Sequence, residues 1–289
     1  MIDYGNRYKK LIEELNVSEQ IKDFLRKVKM VASSGNTKIK ESVTDMFIKS
    51  PSCSELSRIA KVYESIITGY SVYPMRGIGT YLELAFPYSG YDSDYKEFFA
   101  SPRRVAVTQN FFSGCFLISF EQWRNAKELI NDERFSLLID FIESNKENIS
   151  FVFHVTPDFR DEKDLFDELN IHTNLFYLEH YLPDRVQALE YIKKQIREAN
   201  IELNQEGMAE IDRIIDEKVD FTSKSYCGYE TLDKLSRRIL FELYTGQVSD
   251  LPMNDDRWPE ISGEDIAEVS ARIDIQPDRD SQTRKIGFV

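Results

Sequence analysis

The chain has 289 residues, 42% of them hydrophobic and 12% aromatic, and a net charge of -13 from 37 basic and 50 acidic side chains. That much apolar material builds a sizeable core and excludes wholesale disorder. The charge sets the surface against phosphate backbones and anionic lipid, so neither nucleic acid nor membrane is an expected partner.

Three cysteines, Cys53, Cys115 and Cys227, stand far apart without a C-x-x-C spacing, which points to a reducing compartment and not to a disulfide framework. The N-terminal "MIDYGNRYKK" lacks the apolar stretch of a signal peptide. No apolar run approaches the roughly 20 residues of a membrane span. A soluble, cytoplasmic protein is expected.

Residues 7–30 read as helical, with Tyr8, Leu11, Ile12 and Leu15 on one stripe and Ile21, Phe24, Leu25 and Val28 on another. "SSGNT" at 33–37 breaks that pattern. In "KIKESVTDMFIK", Ile39, Val43, Met46 and Phe47 stand at helical spacing, which favours a helix over a short buried strand "DMFIK". Beyond Pro51, the stripe Leu56, Ile59, Ala60, Tyr63, Ile66 and Ile67 predicts another helix, with Ser52 or Ser54 as its N-cap.

"GTYLELAF" (79–86) alternates and is rich in strand formers. "PYSGYDSDYKEFFASPRR" reads as an irregular aromatic connection, whose Tyr88, Tyr91, Tyr95, Phe98 and Phe99 are either a protein-binding loop or a packed connector, and "RVAVTQ" reads as a short strand. "GCFLISFEQ" (114–122), "ISFVFHV" (149–155) and "NLFYLEHY" (174–181) are apolar runs of the kind a strand buried on both faces requires. A helix marked by Phe135, Leu138, Ile139 and Ile142 separates the first two. Strand and helix alternate, so βαβ units and a largely parallel sheet are expected.

After Pro183 three helices are predicted, over 184–200, 205–219 and 230–244, and from about 245 onward the sequence reads as a tail. The expected organisation is an N-terminal helical segment (1–44), an α/β core (45–183), a helical lid (184–244) and a C-terminal tail (245–289).

A parallel-sheet domain followed by a helical lid resembles the AAA+ ATPases, closest to the group of red-type rubisco activases and related sporulation ATPases. The resemblance covers about residues 45–244. "SGCFLISFEQW" lies where that family has an apolar strand ending in Asp-Glu; "LLIDFIESNKENISFVFHVTPD" is similar to its sensor strand and the helix before it. "LFDELNIHTNLFYLEHYLPDRVQALEYI" resembles its arginine-finger loop, last strand and first lid helix, and "GYETLDKLSRRI" the helix carrying a second sensor arginine. The implied fold class is α/β, a parallel-sheet P-loop NTPase (AAA+)-like core with a C-terminal three-helix lid.

The residues that carry that family's chemistry are missing. "SPSCSELSRIA" matches the phosphate-loop slot only in Pro51 and the helix after it, leaving Pro51, Ser52 and Ser54 as a vestige without glycines or lysine. Lys49 precedes the turn and does not replace the missing lysine. Ser119 and Phe120 occupy the positions of the acid pair, and Glu121, the only candidate acid, stands one or two places late. Asn174 stands near the arginine-finger position, and an amide cannot neutralise developing phosphate charge. Glu230 holds the second sensor position, with Arg237 and Arg238 two turns later on an outer face. A rival phosphate loop, Gly77, Gly79 and Thr80, also lacks a lysine.

His154, His172 and His180 are the only histidines. His172 and His180 flank one strand and could approach one edge, but a metal site would need a third ligand, so polar structural histidines and no metal are expected. The expectation is a catalytically inactive AAA+-like protein acting as an adaptor or regulatory subunit, with a protein partner, either an AAA+ ring or further copies of itself, and no cofactor. The alternative is a divergent enzyme using ATP with magnesium. A third reading, an unrelated α/β protein with a helical appendage, would not place "CFLIS" beside "SFVFHV".

Overall fold

The protein is described from a computed structural model, which covers residues 4–52, 54–73, 79–109, 113–223, 225–247 and 262–273. Five strands, β1 (Asp45–Lys49), β2 (Gly79–Ala85), β3 (Ser113–Ser119), β4 (Ile149–Val155) and β5 (Leu175–Glu179), form one sheet in the order β2-β3-β4-β1-β5. Every pairing is parallel, and Phe116↔Phe151 and Ile118↔Phe153 set "CFLIS" directly beside "SFVFHV".

Alternate residues of the strands feed two cores. Met46, Ile48, Cys115, Leu117, Val152 and Leu178 pack against α1 (Tyr4–Glu13), α2 (Glu19–Ala32) and α4 (Ser54–Gly69). Phe47, Phe116, Ile118, Phe151, Phe153 and Val155 pack with α6 (Ala126–Ile130), α7 (Phe135–Asn145) and α8 (Glu162–His172), together with Tyr95 and Phe98 of α5 (Asp92–Gln109). The chain therefore leaves β1 through α4 on one face and leaves β4 through α8 on the other. Connections that depart to opposite faces open a crevice at the carboxyl ends of the two strands, the place where ligands bind in sheets of this type.

Three expectations are corrected. The 37–49 segment is not one helix: α3 covers only Thr37–Lys40, capped by Asn36, and "DMFIK" is the central strand β1. Ile39, the first residue of the supposed stripe, is exposed, whereas Met46, Phe47 and Ile48 are wholly buried because the strand is covered on both faces. A strand buried in this way carries no alternation for sequence to display. The "irregular" 92–103 segment and the "RVAVTQ" strand form one helix, α5, which runs through Pro102. Proline inside a helix is disfavoured, so the pattern breaks there. Of the aromatic loop, Tyr95 and Phe98 are core and Tyr88 and Tyr91 are exposed.

The supposed tail contributes structure too. Residues 182–289 form a second compact unit, apart from Met1–Tyr181. In it, α9 (Arg185–Glu198), α10 (Gln205–Lys218) and α11 (Tyr229–Gln247) are joined by α12 (Gly263–Arg272), whose Ile266 and Val269 share a core with Ile192, Ile211 and Leu235. Asp184 with Gln187, and Ser262 with Asp265, form capping boxes that start α9 and α12. Among the described residues no helix is long and apolar enough to cross a membrane.

Gly69 ends α4 against α1. A Cβ there would lie 1.7 Å from the Tyr8 hydroxyl. Tyr8 is 3% exposed, with its ring 5.3 Å from that of Tyr70, so it has little room to swing away. Gly69→Ala should cost about 1–3 kcal/mol through overpacking, read as a lowered urea midpoint. An unchanged midpoint would show that α1 is not held at this contact.

Candidate functional site

The crevice is built by the residues just past the end of each strand. The β1 ladder runs one residue further, with the Ser50 N–H donating to Val155 O (3.0 Å). The next residue, Pro51, has no N–H to offer. Ser52 then sits just before α4, and its hydroxyl donates to Oε2 of Glu121 (2.6 Å), which lies two residues beyond β3. The structure thus brings together Ser52 and Glu121, two of the residues expected from sequence, as a latch. Ser54 is the first residue of α4; the residue before it, Cys53, lies outside the described residues.

Beneath the latch runs a buried polar chain that the sequence does not announce. His154, at 0% exposure, places Nε2 2.7 Å from Ser50 O and Nδ1 2.8 Å from Ser119 Oγ. A carbonyl only accepts, so Nε2 carries the proton and Nδ1 accepts from the Ser119 hydroxyl. Ser119 Oγ in turn accepts from the Glu121 N–H (3.3 Å). Burial holds His154 below the ordinary histidine pKa, against the pull of the Ser50 carbonyl and of the Glu121 charge. A neutral, tautomerically fixed imidazole therefore ties β3 and β4 to the turn after β1.

Lys49 does not enter the crevice. Its ammonium lies 2.8 Å from Oε1 of Glu162, the first residue of α8, on the face of the sheet away from α4. The hydrogen bond from Lys49 holds the Glu162 carboxyl below its usual range.

The rival turn sits elsewhere. Gly79 and Thr80 open β2 in register with Ser113 and Gly114, at the amino end of an edge strand, and Gly77 lies outside the described residues. The other positions from the resemblance are also placed. Asn174 precedes β5, and its backbone carbonyl accepts from the Asp45 N–H (2.8 Å). On α11, Glu230 pairs with Lys234 (3.4 Å), Arg237 with Asp233 (2.9 Å) and Arg238 with Glu242 (3.3 Å).

His172 and His180 lie at opposite ends of β5, so the expectation that they approach one edge is corrected. The His172 ring bonds Glu143 at 2.8 Å, whereas His180 lies just past the carboxyl end, its backbone N–H donating to Lys49 O (2.8 Å). Among the described residues no three metal-ligating side chains converge.

Several polar groups around the crevice are engaged with one another. A phosphate turn presents converging N–H groups and a lysine. Here the Ser50 N–H is used by the sheet, the Ser50 carbonyl by His154, and a carboxylate caps the turn.

The fold is α/β, a P-loop NTPase (AAA+)-like parallel sheet, the class to which the solved neighbours belong. No protein-family model matches the chain, and no curated protein matches it. A point mutant of RuvB from Thermotoga maritima superposes with a TM-score of 0.50 at 14% identity, over 92% of this chain and 74% of that one. The RuvB Holliday junction branch migration motor of the same organism gives 0.48 at 13% identity, over 91% and 72%. At such identities the likeness, carried by the first of these structures, concerns the fold alone.

Proposed function

We propose that the protein is a catalytically inactive member of the AAA+-like fold that works by binding, as an adaptor or regulatory subunit in the cytoplasm. In this reading residues 45–183 are the core and 184–244 the lid, within the rubisco-activase and sporulation-type group suggested by motif order. Its partner is another protein, either an active AAA+ ring or further copies of this chain, and it needs no cofactor. One observation carries the proposal: the turn between β1 and α4 is latched by Glu121 onto Ser52, with no lysine in it and Lys49 committed to Glu162.

The competing reading makes Glu121 the acid of a divergent Mg-ATPase. The two separate on phosphate release from ATP. The wild-type protein should release no more than a protein-free blank. Turnover that Glu121→Gln abolishes would replace the proposal with the ATPase reading.

A further inference from the structure

The second unit contains a pocket of about 440 Å³ where α9 turns into α10, lined by Lys193, Ile196, Arg197, Asn200, Ile201, Glu202, Leu203 and Met208. Its size lies within the range of ligand pockets. Ile196 and Ile201, at 0% and 2% exposure, form a buried apolar floor, and Met208, at 38%, is an exposed, deformable wall. Lys193 and Arg197 stand one helical turn apart on α9, so their cations lie on the same side. Lys193 is paired with Glu190 at 3.9 Å, whereas Arg197 has no ion-pair partner among the described residues.

We infer that this pocket binds an acidic, apolar peptide segment of a partner protein. The inference rests on the adaptor reading and supplies its partner chemistry. The exposed Arg197, beside Lys193 and an apolar floor on a chain of net charge -13, makes a local place where an acid-bearing segment can dock. The rest of the lining decides for a peptide over a simple fatty acid. Glu202 is an acceptor and Asn200 both donates and accepts, and a fatty acid has no N–H to offer either. A peptide supplies an apolar side chain for the floor, a carboxylate for Lys193 and Arg197, and backbone N–H and C=O groups for Glu202 and Asn200.

The test is fluorescence anisotropy of the full chain with labelled pentapeptides in which Asp or Glu alternates with Leu, Ile, Phe or Met. A matched set carries Lys or Arg in the acidic positions, and hexanoate serves as competitor. The acidic set should bind saturably and the basic set should not. Arg197→Glu, a change at an exposed site, should weaken binding by roughly tenfold with an unchanged melting curve. No saturable binding by any acidic peptide, equal binding by the basic set, indifference to Arg197→Glu, or complete displacement by hexanoate would each overturn the inference. None of these outcomes bears on ATP turnover, so failure of the peptide site can be told apart from failure of the adaptor reading on which it rests.

Discussion

Asp45→Asn should stabilise the protein at pH 8 by on the order of 4 kcal/mol and leave it unchanged near pH 4. Asp45 begins the central strand at 8% exposure, and its carboxylate accepts from the Phe151 N–H (2.9 Å). Burial pushes its pKa up to about 7, against that hydrogen bond and the nearby hydroxyls of Ser150 and Tyr63. The folded state therefore holds a proton that the unfolded chain releases near pH 4. The Asp45 contribution is complete below pH 4 and is lost as pH rises toward 7, at up to about 1.4 kcal/mol per pH unit. Asparagine keeps the carbonyl acceptor and cannot ionise. Urea melts of both proteins from pH 4.5 to 8.5 should diverge up to about pH 7 and then keep a constant offset, and parallel curves throughout would refute a buried, protonated Asp45.

His180→Phe should act with the opposite slope. His180 is 1% exposed, and neither ring nitrogen has a hydrogen-bond partner among the described residues. Burial lowers its pKa to about 4. The unfolded chain binds a proton below pH 6.5 that the folded state refuses, so wild-type stability falls from pH 6.5 toward 4. The total loss is on the order of 3 kcal/mol. Phenylalanine removes that loss and also the cost of two unpaired buried nitrogens, about 1–3 kcal/mol at any pH. The variant's advantage should grow on acidification. A constant offset would mean that His180 titrates normally in the folded state.

Together the two side chains nearly cancel each other's pH dependence between about 4 and 6.5 in the wild type, so each slope emerges only when the other residue is replaced.

The sheet was legible where runs were long. "GCFLISFEQ" and "ISFVFHV" became β3 and β4 because seven-residue apolar runs between turn signals leave few alternatives. β1 was not legible, because five residues buried on both faces show no period, while Ile39 and Val43 upstream supplied a helical one by coincidence. Pro102 hid α5, and the polar "SGED" before Ile266 hid a capping box and the helix after it. At the crevice, Ser52 and Glu121 could be named from sequence as residues near the strand ends. The contacts that close it could not, because His154 reaches Ser50 across 104 positions and Ser52 reaches Glu121 across 69. Only the parallel register of β1, β3 and β4 brings those residues together.

The most direct measurement is the melting temperature with and without millimolar Mg-ATP. A ligand that binds only the folded state must raise it. A latched crevice without its lysine predicts a change within about 1 °C, with no heat of binding by calorimetry. A saturable rise of several degrees would contradict the account, because the protein would then be binding the nucleotide that the proposed inactive reading says it does not need.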